Sequence, residues 1–246
     1  MRDKPIGEVN YDQFARRYAE GSRVKAHNAL YERPATLSLL PDLEGRRVLD
    51  AGCGPGHYAT ELLARGAEVV AIDVTEEMVA ITREEVGDRA DVRRWDLHDP
   101  LTFAADASFD GVVCPLVLDY LEDWHALFAE FARVLRPGGW FVYSHGHPMT
   151  DYDFVRRESD PDANYMETEQ HTVHWHGFGE PPPRMTFYRR PLQAMLDPLL
   201  DVGFAIEKVL EPLPTEECLR REPHEYEKLM REPCFLCVRA RKSGES

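Results

Sequence analysis

Apolar and polar positions along the chain alternate between two rhythms. Arg47-Val-Leu-Asp-Ala51 is a short apolar run. The turn Gly52-Cys-Gly-Pro-Gly56 follows, then a helical pattern from Tyr58 to Arg65 with Gly66 as its stop. Glu68–Asp73 reads as a second strand. Thr75 is the expected N-cap of the next helix, with Glu76 and Glu77 in the first turn and Met78, Val79 and Ile81 on its apolar face. Asp91–Trp95 and Phe109–Cys114 read as strands three and four. A helix over Glu122–Leu135 is broken by Arg136-Pro-Gly-Gly139, and Trp140–Ser144 is strand five. Further on come a helix over Pro191–Val202, a strand over Phe204–Leu210, a helix over Glu216–Met230 and a strand over Phe235–Ala240. Strands alternating with helices at this spacing require right-handed crossovers. The fold expected is α/β: a doubly wound, seven-stranded, mostly parallel sheet with an antiparallel last strand and helices on both faces.

Two regions depart from that rhythm. Residues 10–40 are helical, with a break at Gly21-Ser22 and an end at Pro41. Residues 147–187 are rich in His, Pro, acidic and aromatic residues, with room for two short antiparallel strands. No repeat is present. The expected organisation is one domain over 1–246: a helical cap (1–44), a ligand-binding core (45–146), an insertion or lid (147–187) and a C-terminal completion of the sheet (188–246).

Composition narrows the partners. With 246 residues, 43% of them hydrophobic, the chain can bury a large core. A net charge of -15 opposes a phosphate backbone or an anionic membrane, so no nucleic acid and no membrane partner is expected. No apolar run is long enough to span a bilayer, and Met1-Arg-Asp-Lys-Pro lacks a signal-peptide core. Five cysteines without framework spacing point to a reducing cytoplasm. Only five of the 29 basic residues are lysine, which fits either a salt-adapted or a GC-rich source. The pattern sets no oligomeric state.

The glycine turn is the strongest chemical signal. Ligands of open α/β sheets bind beyond the carboxyl ends of the strands, where this turn lies. Its glycines stand at 52, 54 and 56, a G-x-G-x-G spacing that disfavours the G-x-G-x-x-G of nicotinamide enzymes. Asp73 ends the second strand, placed for two ribose hydroxyls. Asp96 ends the third and can accept from an adenine amino group, beside the Leu97 backbone N–H.

These motifs, together with Phe109-Asp-Gly-Val-Val113 and Leu135-Arg-Pro-Gly-Gly139, span residues 46–145 and resemble the class I S-adenosylmethionine-dependent methyltransferases, a Rossmann-like superfamily. The resemblance implies S-adenosylmethionine as cofactor and S-adenosylhomocysteine as product. It implies that Gly52, Cys53, Gly54 and Gly56 pass the methionine portion, Asp73 binds the ribose, Val74 and Met78 pack near the adenine, and Asp96 and Leu97 hold its edge. Cys114 would face the methionine amino group through its carbonyl, with Pro115 and Leu116 beside the sulfonium. Tyr11-Asp-Gln-Phe-Ala-Arg-Arg-Tyr18 matches the family's closing helix, making Tyr11, Tyr18 and Arg23 candidates, with plain aromatic packing as the alternative.

Methyl transfer needs alignment and exclusion of water, and a base only if the acceptor must lose a proton. Asp119 follows strand four, where many relatives carry histidine. It is a base, a partner for a cationic substrate, or a helix cap. After strand five, His145 and His147 are two apart and would share a face, with His147 the preferred base. His171, His174 and His176 lack a completing carboxylate or cysteine, so a lid is expected there and no metal. Arg184, Tyr188 and Arg189 are either anion contacts or ordinary strand residues. Cys234 and Cys237 fall on opposite faces of a strand, as core cysteines. The expected activity is methyl transfer to a small-molecule acceptor. The alternatives are an RNA-modifying methyltransferase and a cofactor-binding relative without transfer.

Overall fold

The computed structural model describes residues 3–244. Met1 and Arg2 of the N-terminal segment read above, and Glu245 and Ser246, lie outside the described residues. The strands are β1 (Arg47–Ala51), β2 (Glu68–Asp73), β3 (Ala90–Arg94), β4 (Phe109–Pro115), β5 (Leu135–Gly146), β6 (Glu169–His174), β7 (Arg184–Arg189), β8 (Phe204–Leu210) and β9 (Phe235–Lys242). Seven of them form one sheet in the order β3-β2-β1-β4-β5-β9-β8. β9 is antiparallel to both neighbours, and the other pairs are parallel. The expected seven-stranded sheet is therefore present. Its reversed strand, the last in sequence, sits inside the sheet between β5 and β8.

Residues buried on both faces explain the near-continuous apolar strands. Leu49, Val70, Ile72, Val112, Phe141 and Tyr143 pack to one side with Phe128 and Phe131 of the helix His125–Val134. Their neighbours Val48, Val69, Ala71, Val113 and Val142 pack to the other with Tyr58, Ala59 and Leu62 of the helix His57–Ala64. Asp50 breaks the run: it is fully buried in β1, and neither carboxylate oxygen finds a side-chain or backbone partner of good geometry. Burial, then the nearby Asp73 charge, pushes its pKa up to about 8.

The chain leaves β1 toward β2 and β3 on one side and returns to β4 and β5 on the other. That reversal opens a crevice above the ends of β1 and β4. Several local elements differ from the periodicity. The helix expected over 216–230 is two, Glu216–Arg221 and Pro223–Leu229, because Pro223 cannot continue the first. β5 begins at Leu135, and Arg136–Gly139 bulges out of it: the register jumps from Phe109↔Leu135 to Gly111↔Trp140. The N-terminal segment contains a π-helix, Ala26–Glu32. After β5, Pro148 starts an unanticipated helix, Pro148–Glu158, and β6 and β7 form a separate antiparallel pair.

Candidate active site

The glycine turn bends over the ends of β1 and β2, where the N–H groups of Gly52 and Cys53 both donate to the Ile72 carbonyl at 2.8 Å. Gly52 has φ +79°, and a Cβ there would lie 2.3 Å from Val117 Cγ2. Gly54 has φ +52°, with open space where a Cβ would project. Only glycine keeps this backbone both left-handed and bare. Asp73 locks the turn: its Oδ2 accepts from the Gly54 N–H at 2.9 Å and its Oδ1 from the Thr75 N–H at 2.8 Å. Thr75 stands at the N-cap, but its hydroxyl makes no cap hydrogen bond. Burial raises the Asp73 carboxyl above its ordinary pKa against the pull of those two N–H groups.

Above the turn lies a cavity partly open to solvent. At one end stand Asp73, Val74, Met78, Trp95, Asp96 and Leu97. Asp96 Oδ1 accepts from the His98 N–H at 3.0 Å and meets its ring Nδ1 at 2.7 Å. The Trp95 indole N–H is buried and has no hydrogen-bond partner. The roof is aromatic. The Tyr11 and Tyr120 hydroxyls meet at 2.8 Å, and Tyr18 stands edge-on to Tyr11 at 4.8 Å.

Two side chains at the opposite end were not found by sequence reasoning. Glu32 is 2% exposed, and its Oε1 accepts from Tyr58 at 2.7 Å, Thr36 at 2.8 Å and Ser144 at 2.5 Å. Beside it, Arg33 donates to the Ser22 carbonyl at 2.9 Å and keeps a buried, unpartnered Nε. His57 contacts Ser22 Oγ at 3.1 Å, and burial followed by the charges of Arg33 and Arg23 pushes its pKa down to about 4. A carboxylate and a guanidinium side by side can hold an ammonium and a carboxylate. The available signal was a charged pair inside an otherwise apolar helical stretch, now seen at the end of a π-helix.

Most of the expected cofactor residues line this cavity: Tyr11, Tyr18, Gly52, Cys53, Gly54 and Asp73, with Val74, Met78, Asp96, Leu97, Pro115 and Leu116. Three do not. Arg23 turns outward to Glu85 at 2.8 Å. Gly56, at φ +82°, caps the helix His57–Ala64 and packs on Thr82. The Cys114 side chain points into the core.

A second chamber adjoins the first and shares Tyr11, Tyr18, Asn28, Leu116 and Tyr120 with it. Leu116 holds φ +55°, a strained value for this residue type at the partition between two cavities. Trp175 and Phe178 cover the chamber. Their rings stack at 5.8 Å, Phe178 stacks on Tyr18 at 5.5 Å, and Lys25 Nζ rests 3.4 Å over Phe178. His174 and His176 line it, whereas His171 turns to Glu169 at 3.6 Å.

The chamber's polar floor is Asp119 and Asp151, with His145 behind them. His145 is fully buried. Its Nε2 lies 2.6 Å from Asp119 Oδ1, at an angle too poor for a hydrogen bond. Burial disfavours the His145 imidazolium, but the Asp119 charge prevails and its pKa is raised. Burial, then the Asp119 charge, pushes Asp151 up to about 7. His147 lines neither chamber. It is the N-cap of the helix Pro148–Glu158, and its ring contacts Glu211 at 3.0 Å, so the chain's turn into that helix separates it from His145. Arg189 is spent on the carbonyls of Asn164, Tyr165 and Glu167 and on Glu169, as a clamp for that loop. The described cysteines are free, with Cys237 buried in the sheet.

A mostly parallel seven-stranded sheet with a glycine turn, an acidic β2 end and this cavity defines a class, and sequence comparison agrees. Residues 49–143 match the family model described as a methyltransferase domain. Residues 49–143 therefore carry a methyltransferase domain of the class I, S-adenosylmethionine-dependent kind, and the protein is an enzyme using that cofactor. An S-adenosylmethionine-dependent methyltransferase from Mesorhizobium loti is 28% identical, with TM-score 0.67 over 85% of this chain and 97% of its own. A Listeria monocytogenes structure shares the fold, with TM-score 0.73 over 86% of this chain and 96% of its own at 24% identity. The ubiquinone biosynthesis O-methyltransferase of Xanthomonas oryzae pv. oryzae is 36% identical over 124 residues. That match spans 49% of this chain and only about half, 52%, of the relative.

The cavity fits the cofactor on its own evidence. The bare face of Gly54 admits close approach, and the unpartnered Trp95 and Arg33 donors await acceptors. Asp73 has lone pairs left for hydroxyls beyond its two N–H partners.

Proposed function

We propose that this enzyme methylates a small-molecule acceptor held in the second chamber, with 147–187 as its lid and 1–44 as the cap over the cofactor. The observation that carries this reading is the shared wall. Leu116 and Tyr120 line both cavities, so the acceptor chamber directly adjoins the cofactor cavity. When bound, S-adenosylmethionine supplies a methyl group already activated by its sulfonium. The chain supplies placement. Asp73 accepts from the ribose hydroxyls, Asp96 and Leu97 meet the adenine edge, and Glu32 with Arg33 holds the amino-acid end. Trp175 and Phe178 exclude water. Asp119 is the polar group that meets the acceptor's reactive atom, His145 positions it from behind, and His147 takes no part.

An aromatic-lined chamber in a chain of net charge -15 favours a small molecule over RNA. Five free cysteines fit a reducing cytoplasm as its compartment. The test is incubation of the protein with methyl-labelled cofactor and either a metabolite extract or total RNA. Label in the low-mass fraction is expected, and label confined to RNA would reverse the acceptor class. Calorimetry with S-adenosylmethionine and with NAD checks the cofactor cavity separately.

A further inference from the structure

We propose that Asp119, His145 and Asp151 bind a divalent metal ion at the floor of the second chamber. Among the described residues these three form a cluster whose ligand atoms all lie within 4.8 Å of one another. The arrangement of His145 is the first argument. Its Nδ1 lies 2.8 Å from the Gly146 carbonyl, and only a protonated Nδ1 can bond there. In the neutral ring the lone pair therefore sits on Nε2. A backbone carbonyl fixing one ring nitrogen so that the other can ligate is the usual outer-shell arrangement of a metal-bound histidine. That Nε2 faces Asp119 Oδ1 at 2.6 Å, and both atoms are buried without a hydrogen bond. Two acceptor atoms at this separation repel unless positive charge lies near them.

Gly146 is the second argument. A Cβ there would fall 2.1 Å from Asp151 Oδ2. The bare end of β5 therefore gives Asp151 the space to bring its carboxylate beside the imidazole. Asp119 and Asp151 both line the chamber, so an ion bound to them keeps open positions toward an acceptor.

The neighbouring cations do not take these ligand atoms. Arg190 stacks over Trp124 at 4.1 Å and donates to the carbonyls of Leu121 and Glu122. Arg189 is committed to the 164–169 loop. One imidazole and two carboxylates suit Mn²⁺, Fe²⁺ or Zn²⁺. An ion there would receive a hydroxyl of the acceptor and lower its pKa. The proton goes to water and the oxygen lone pair takes the methyl as the carbon–sulfur bond breaks to leave a thioether. This use of the ion rests on the acceptor reading above, whereas its binding rests on the three side chains alone.

The experiment is a Mn²⁺ titration of the full, metal-stripped chain followed by electron paramagnetic resonance, with cofactor affinity measured on each variant. The wild type should bind one Mn²⁺ per chain. Asp151→Asn and His145→Ala should each weaken binding by about tenfold or more. Both should keep cofactor affinity, which verifies their folding, and His147→Ala should keep Mn²⁺ binding. No Mn²⁺ bound by the wild type, or equal binding by the wild type and Asp151→Asn, overturns the proposal and leaves His145 as an imidazolium paired with Asp119. Failure to find a small-molecule acceptor would leave the Mn²⁺ result untouched, so the two readings fail separately.

Discussion

The two chambers share a wall but are built differently. The cofactor cavity takes its working groups from strand ends that follow one another in sequence, Gly52 to Leu97, with Glu32 and Arg33 as an addition from the cap. The second chamber draws on five separated stretches, around Tyr11–Asn28, Leu116–Tyr120, Gly146–Glu158, His174–Phe187 and Phe235. A site on consecutive strand ends inherits its geometry from the sheet register. A site assembled from loops and a lid depends on tertiary packing. The first can be shared across a family with many acceptors, and the second can change from one acceptor to the next.

Substitutions should separate the two chambers, the largest effect first. Asp73→Ala removes both the anchor of the Gly54 turn and the proposed ribose acceptor. Cofactor affinity should fall by about 100-fold or more in calorimetry; an unchanged affinity refutes the ribose assignment. Asp119→Asn should lower turnover by about 100-fold with cofactor affinity held within about twofold, since it touches only the second chamber. His147→Ala, outside both, should keep turnover near wild type. Arg33→Gln should weaken cofactor binding by about tenfold, while Arg23→Gln leaves it unchanged. Trp175→Ala should raise the acceptor KM several-fold and spare the cofactor, because its ring covers the second chamber alone.

The smallest effect lies beneath both chambers. Asp50 has a folded pKa of about 8, above its value in the unfolded chain. The stability it contributes is complete below the unfolded value, near pH 4, and is lost as pH rises through about 8. Asp50→Asn removes that dependence. Its melting temperature should gain on the wild type progressively from pH 5 to pH 8.5, and parallel curves would show that Asp50 ionises normally.

The same contrast explains what the sequence could convey. The sheet, its reversed final strand and the cavity-lining positions Gly52, Gly54, Asp73 and Leu97 follow from local spacing, because strand period and turn chemistry decide them. The floor of the second chamber does not. His145 and His147 are two apart and should share a face, but the strand ends at Gly146 and His147 caps the helix that starts at Pro148, which sends the two rings to Asp119 and Glu211. Asp151 was unremarkable as a sequence position. It matters because Gly146 has no side chain to exclude it. Arg33 and Arg23 were indistinguishable by type, and only the fold turns one inward and the other toward Glu85.

Tyr18 carries a kinetic consequence. It roofs the cofactor cavity, and Phe178 of the lid stacks on it at 5.5 Å. A lid closed over the acceptor therefore also closes the way out over the cofactor. Binding should follow a compulsory order, with the cofactor first on and its demethylated product last off. Product inhibition by S-adenosylhomocysteine should then be competitive toward S-adenosylmethionine and non-competitive toward the acceptor. Phe178→Ala, by uncoupling lid from roof, should make the order random.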